Sequence, residues 1–349
     1  MVTGVFAGEM PMDRWIKNRI GLGEKETLLR GDIEAYQLQK LAKIIEYAAS
    51  KSSYYKETLA KTRKASFTGF DDFEKLPFMD SSDLREKGGQ MICVPQEEIS
   101  RIVTLDTSGS SGSPKRIYFT EEDQELTIDF FDHGMRNMID ESDSLMILMP
   151  YERPGSIGDL LAQGIKRLGA QSVSIGFVSD LSDLPKVANV IQEEKITSIV
   201  GTPKQVEKLM HHSKGQVTGI RTVLLSADFV GEDVMQAISK GWNCKVFEHY
   251  GMTEMGLGGA VSCHRLEGYH IRENDLYIEI INPETHEVLP DGDWGEIVFT
   301  TLTRKAMPFI RYKTGDTGRI LVDPCKCGSV LKRLDRVKDR GIRKNYEKW

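Results

Sequence analysis

Across residues 31–65 the apolar positions Leu38, Leu41, Ile44, Ile45 and Ala48 recur at helical spacing with charges between them, which predicts a helix. A second helix is expected to start at Asp80, where Ser81, Ser82 and Asp83 precede Leu84 and Arg85. From about residue 143 the pattern alternates. Short apolar runs at 145–149, 172–177, 198–201, 222–226 and 245–249 read as buried strands, and 158–168, 184–194, 204–211 and 232–240 carry helical periodicity between them. Strands alternating with helices predict an α/β fold with a doubly wound, mostly parallel sheet. After residue 268 the texture changes: runs at 276–281, 295–300 and 318–322 are separated by turn pairs such as Asn282-Pro283 and Asp291-Gly292, which predicts an antiparallel β region.

One segment fits neither pattern. Thr107, Ser108, Gly109, Ser110, Ser111, Gly112, Ser113, Pro114 and Lys115 form a hydroxyl- and glycine-rich loop between the strand-like runs 102–105 and 116–120. Gly/Ser runs are commonly linkers, but a linker is not ordinarily pinned between two strands. Exposed backbone N–H groups, clustered hydroxyls and a terminal lysine suit phosphate oxygens, and Gly109 and Gly112 permit close approach of an anion. The loop lacks the Gly-x-x-x-x-Gly-Lys-Ser/Thr pattern opening a helix, so a strand–loop–strand phosphate clamp is expected.

Composition narrows the class. A chain of 349 residues can bury a substantial core. A net charge of −6 argues against nucleic-acid and membrane-surface partners. No apolar run approaches the ~20 residues that span a bilayer, and residues 1–10 lack the features of a secretory signal. A cytoplasmic protein is expected. Five cysteines in a chain of this length do not make a disulfide framework; Cys93 and Cys244, in apolar surroundings, are expected to be ordinary buried thiols.

Two further groupings carry chemistry. The run 245–249 leads into Tyr250, Gly251, Met252, Thr253 and Glu254, at the kind of strand end where open α/β sheets bind ligands. Glu254 could hold a divalent cation on phosphate oxygens, Thr253 could bond a phosphate, and Tyr250 offers a flat face to a planar ring; a surface turn with a capping threonine is the plainer alternative. Within Tyr312, Lys313, Thr314, Gly315 and Asp316, the carboxylate after a glycine turn could accept from both hydroxyls of a ribose, or the segment is a simple hairpin turn.

The succession TSGSSGSPK, YGMTE and YKTGD resembles the acyl- and aryl-adenylate-forming superfamily, and LPFMDSSDLRE (76–86), GEIVFTTLTRKAMPFIRY (295–312) and the Cys-x-Cys-Gly knuckle (325–328) resemble its phenylacetate–CoA ligase-like branch. The similarity extends over roughly residues 35–340. It implies the large N-terminal domain of those enzymes: an N-terminal helical part (1–100), an α/β nucleotide- and acyl-binding core (101–267), a β subdomain (268–334) and a hinge remnant (335–349). By resemblance, Thr107 to Gly112 and Lys115 would hold the β- and γ-phosphates of ATP. Ser226, Ala227, Asp228, Tyr250 and Gly251 would line the adenine. Thr253 and Glu254 would face the α-phosphate and Mg²⁺, with Asp316 and Arg336 on the ribose. A small aryl or short acyl carboxylate would become an acyl-AMP with release of pyrophosphate, and a thiol, usually that of coenzyme A, would take the acyl group. Transfer to an amine or protein acceptor, and a non-catalytic nucleotide-binding relative, are the alternatives. A homodimer is plausible by the same resemblance.

Cys263, His270, Cys325 and Cys327 make a ligand set suited to a structural tetrahedral zinc; the alternative is four unconnected residues. The resembled branch binds zinc with similar residues at these places. His270 is preferred over His264, because adjacent residues in extended backbone point apart. The family's C-terminal lid domain, about 100 residues in size, would follow the hinge. Here the hinge reads Asp335, Arg336, Val337, Lys338, Asp339 in an altered form; either a longer protein is cut short at this point or, as the altered hinge favours, the expectation is a member without the lid.

Overall fold

The computed structural model describes residues 9–23, 26–60, 69–105, 114–178 and 180–338. Helices α1 (Pro11–Ile20), α2 (Arg30–Lys51), α3 (Ser53–Thr58), α4 (Phe70–Phe73) and α5 (Ser81–Lys87) come first. The helix expected across 31–65 breaks at Ser52, whose hydroxyl accepts from the Tyr55 amide at 3.2 Å and starts α3 as a new helix. Asp80 caps α5 as expected, accepting from the Ser82 amide at 2.7 Å. Strands β1 (Arg101–Leu105) and β2 (Lys115–Phe119) then pair antiparallel with Leu105 opposite Lys115, so both ends of the glycine-rich loop are held together. The loop itself, from Thr107 to Gly112, lies outside the described residues.

Helix α6 (Glu121–Met135) precedes an alternating series: β3 (Ser144–Ile147), α7 (Ile157–Leu168), β4 (Gln171–Ser174), α8 (Leu184–Glu193), β5 (Ser198–Gly201), α9 (Pro203–His212), β6 (Thr222–Leu225), α10 (Glu232–Trp242) and β7 (Lys245–Tyr250). Strands β8 (Ala260–Ser262), β9 (Tyr269–Ile271), β10 (Leu276–Ile281), β11 (Gly295–Thr301), β12 (Tyr312–Gly318) and β13 (Arg333–Leu334) follow. The main sheet runs β13-β9-β8-β7-β6-β5-β3-β4, parallel from β4 through β7 and antiparallel beyond.

The doubly wound arrangement follows from the period of two along each strand. Leu145, Ile147, Val200, Leu224 and Phe247 face one core with α1, α6 and α7. Their neighbours Met146, Ile199, Val223, Leu225 and Val246 face the other with α8, α9 and α10. A third core joins α2, α3 and α5 to the sheet β10-β11-β12.

One expected strand, 318–322, does not form. The third strand of the antiparallel sheet is instead Tyr312–Gly318, and Ile320 makes only an isolated bridge to Leu334. The reason is a register shift between Glu296 and Val298, accommodated by Gly315 at φ 77°. Asp316 therefore sits within a bulged strand, not at the tip of a hairpin.

Candidate active site

Strands β6 and β7 are parallel with Leu225 opposite Glu248, so the segments after Leu225 and at the end of β7 emerge together at the carboxyl end of the sheet. There they border a cavity of ≈ 410 Å³ walled by Ala227, Asp228, Tyr250, Gly251, Asp316 and Arg336, with Glu248 and Tyr269 behind them. The Tyr250 hydroxyl donates to Asp316 Oδ2 at 3.0 Å. Ala227 is held at φ 71°, a left-handed conformation that a non-glycine residue adopts at a cost. Gly251 is required by close approach: a Cβ there would stand 2.7 Å from the Leu257 carbonyl and 3.0 Å from Gly258 Cα.

Arg336 is oriented by a partner the sequence reading did not single out. Its Nε and Nη2 donate to Glu248 Oε1 at 3.2 and 2.9 Å, and Nη2 also reaches the Val230 carbonyl at 2.8 Å. The Tyr269 hydroxyl donates to the same Glu248 oxygen at 3.2 Å. The available signal was a carboxylate directly after the apolar pair Val246 and Phe247 of a strand, since a buried acid needs partners.

On the other side of the Tyr250–Gly251 turn, Lys115 Nζ lies 2.7 Å from Glu254 Oε1, and the Tyr312 hydroxyl donates to that oxygen at 3.3 Å. The Glu254 carbonyl is fixed by Arg304 Nη1 at 2.8 Å, while Arg304 Nη2 holds the Tyr118 carbonyl at 3.1 Å. Arg304 thus ties the strand that ends the glycine-rich loop to the turn bearing Glu254. Its guanidinium stacks over Phe119 at 4.2 Å, and burial lowers it to about 10, still charged at neutral pH. Arg304 was also missed, although it lies in a segment quoted for the resemblance. Thr253 opens the short turn Thr253–Met255, its carbonyl accepting from Gly256 N at 3.0 Å.

Ser226 falls elsewhere: it lines a second, small cavity of ≈ 30 Å³ with His249 and a wall of Phe130, Phe131, Met135 and Leu161. His249 borders both cavities and so stands at their junction.

Cys263, His270, Cys325 and Cys327 are brought together, with one ligand atom from each all within 4.8 Å of one another. His264 is not in this cluster. Cys327 Sγ lies 3.4 Å from His270 Nε2 and Cys263 Sγ lies 3.8 Å from Cys325 Sγ, with Met10 packed on the group. A hydrogen bond from the Cys327 thiol, against burial and helped by His270, holds the Cys263 thiol below the ordinary thiol range. Three sulfurs and one imidazole nitrogen at this separation are a donor set that fits tetrahedral zinc. By contrast, burial pushes Cys93 up to about 12 and Cys244 up to about 11, as expected of inert buried thiols.

A family model described as "AMP-binding enzyme" matches residues 36–303. The chain belongs to the AMP-binding enzyme family. It is 27% identical over 329 residues to a phenylacetate–coenzyme A ligase of Thermus thermophilus, covering 91% of this chain and 72% of that protein. It is 30% identical over 326 residues to a phenylacetate–coenzyme A ligase of Aromatoleum evansii, covering 90% and 72%. Among solved structures, 2-hydroxyisobutyryl-CoA ligase in complex with 2-HIB-AMP and CoA superposes with a TM-score of 0.81 at 21% identity, over 90% of this chain and 69% of that one. The fold expected from the alternating pattern is therefore that of the adenylate-forming ligases. No described helix of this family member is long and apolar enough to cross a membrane.

Proposed function

We propose that this protein activates a small carboxylic acid with ATP, forming an acyl adenylate and pyrophosphate, and passes the acyl group to the thiol of coenzyme A. The observation that carries the reading is the pairing of two cavities at the ends of β6 and β7, one of nucleotide size and polar, the other small and apolar, in a member of the AMP-binding family. Relatives named phenylacetate–coenzyme A ligases support it.

In this reading Tyr250, Gly251, Ala227 and Asp228 receive the base, and Asp316 accepts from the ribose hydroxyls with Arg336 beside it. Thr253 faces the α-phosphate, and Lys115 with the loop from Thr107 to Gly112 holds the β- and γ-phosphates. A carboxylate oxygen of the acid attacks the α-phosphorus, and the bond to the bridging oxygen breaks as pyrophosphate leaves. The thiol sulfur then attacks the acyl carbonyl, loses its proton, and AMP departs. No side chain is consumed; the residues position the reactants and offset phosphate charge. Glu254 offers the hard carboxylate oxygen that Mg²⁺ takes, and the ion, when bound, supplies charge neutralisation on phosphate oxygens. Cys263, His270, Cys325 and Cys327 would hold a structural zinc that fastens β8 and β9 to the segment before β13.

The acceptor step is tested by supplying ATP, Mg²⁺ and a panel of carboxylic acids with coenzyme A or with hydroxylamine. Acyl-CoA formation is expected. Hydroxamate that forms in the absence of coenzyme A, with no thioester in its presence, would overturn the thiol as acceptor.

A further inference from the structure

Arg304 follows strand β11 and is buried, its guanidinium over the rings of Phe119 at 4.2 Å and Phe309 at 5.2 Å. Its two terminal nitrogens donate to the Glu254 carbonyl at 2.8 Å and the Tyr118 carbonyl at 3.1 Å. Its Nε is equally buried and has no hydrogen-bond partner in the protein. A buried cation bonded only to neutral carbonyls, with one donor unused, carries a desolvation cost that such bonds offset poorly. The local backbone does not depend on it. The Lys305 and Ala306 amides donate to the Asp123 carboxylate at 2.7 and 2.9 Å, and the Phe309 amide donates to the Thr301 hydroxyl at 2.9 Å. What the guanidinium does join is two backbone points at the phosphate end of the site. Tyr118 lies in β2, the strand that begins with Lys115, and Glu254 is the residue whose carboxylate Lys115 Nζ meets at 2.7 Å.

We propose that Arg304 is a positioning residue for the adenylation step: by fixing β2 against the Thr253–Met255 turn, it sets the separation of Lys115 and Glu254 and so how the two are presented to one nucleotide. This rests on the adenylate-forming reading above. Arg304 itself touches neither side chain; it acts through the backbone that carries each of them. The role calls for arginine, because a planar fork reaches two carbonyls at once, whereas a lysine keeps the charge and reaches one. Without the tie, Lys115 and Glu254 keep their chemistry but lose their spacing. A displacement of about 1 Å at a group that positions reactants costs up to about 100-fold in rate.

The test is acid-dependent ATP–pyrophosphate exchange by the full chain, with the acid of the panel that the wild-type protein uses fastest. Arg304→Met, close in length and without the fork, is expected to lower kcat by up to about 100-fold and to leave KM for the acid unchanged. The Mg²⁺ concentration that gives half-maximal exchange should rise with it, because the carboxylate is no longer presented at the right spacing. Arg304→Lys should recover part of both, and it carries the test if Arg304→Met does not fold. The deciding comparison is a double-mutant cycle: in a Lys115→Ala background the Arg304 substitution should cost far less than it does in the wild-type chain, since residues that act as a unit are not additive. Three results would each overturn the proposal: a folded Arg304→Met or Arg304→Lys enzyme with wild-type kcat, a loss of rate at an unchanged Mg²⁺ requirement, and a loss that multiplies in full in the Lys115→Ala background. A wild-type chain that gives no exchange with any acid and is not thermally stabilised by ATP would instead overturn the adenylate-forming reading on which it rests.

Discussion

Lys115 and Glu254 hold each other at 2.7 Å, and in the proposed reaction each must turn to a different part of the same ligand. The lysine goes to phosphate oxygens and the carboxylate to Mg²⁺. Lys115→Ala and Glu254→Gln are each expected to lower kcat for acid-dependent pyrophosphate exchange by on the order of 100-fold, the scale of removing one preorganised electrostatic group. Steady-state kinetics decide it; a change confined to KM would mean that both residues only bind ATP. His249 gives a prediction in pH. Burial lowers its folded-state value to about 4, below the ~6.5 of an unfolded chain. The unfolded chain therefore binds the extra proton first, and stability is lost as pH falls from about 6.5 to about 4, by up to about 3 kcal/mol. Denaturant titrations across that window should show the slope in wild type and a shallower one in His249→Phe; equal slopes would refute a buried neutral imidazole. Residues with unusual chemistry for their setting were legible in the sequence, among them Glu254 and the cysteine–histidine set. Arg304 and Glu248 were not, because each acts through long-range partners: Arg304 joins Tyr118 to Glu254, and Glu248 lies across the sheet from its arginine.

Strand β5 (Ser198–Gly201) was expected at its observed bounds, because four buried residues flanked by helices leave it no other role. The third antiparallel strand was displaced because a bulge at Gly315 changes the period on which alternation depends. Helix α6 carries much of the wall of the small cavity but was not picked out, since acidic residues crowd its first turn and its buried face mixes Asp123, Thr127 and Asp132 with phenylalanines. It packs against α7 through Gly164, where a Cβ would come 2.9 Å from Phe131 Cβ and 3.0 Å from the Asp132 amide. Because one of those atoms is backbone, relief requires the helices to separate. Gly164→Ala is therefore expected to cost about 1–3 kcal/mol, read as a fall in urea midpoint at constant m-value; a neutral variant would mean that this contact is looser than the structure gives. At the β8–β9 hairpin the four metal-type ligands belong to segments far apart in sequence. Purified protein is expected to contain one zinc per chain, and Cys325→Ser or a strong chelator should lower the thermal midpoint. A full complement of folded protein with no stoichiometric metal would refute the site.

Two of the segments that carried the resemblance meet in space, which explains why they occur together. Met79 N donates to the Arg311 carbonyl at 3.1 Å and Lys313 N to the Met79 carbonyl at 2.8 Å, zipping the segment before α5 onto β12. Arg311, 1% exposed, pairs with Glu279 Oε1 at 2.8 Å through Nη2, and its Nη1 caps the Leu76 carbonyl at 2.8 Å. The helical N-terminal part and the β region are thereby locked around the strand that presents Asp316 and Tyr312 to the site. The large-scale fold was readable because a parallel sheet imposes a strong alternation of short apolar strands and helices. The joint between regions was not, because a buried arginine looks in sequence like any surface charge. The account as a whole stands on ATP-dependent acid activation, and acid-dependent exchange of labelled pyrophosphate into ATP measures that most directly. The account predicts exchange that requires Mg²⁺ and a compact carboxylic acid and that fails without either. Exchange that is absent with every acid, or that runs equally well with no acid present, would contradict it.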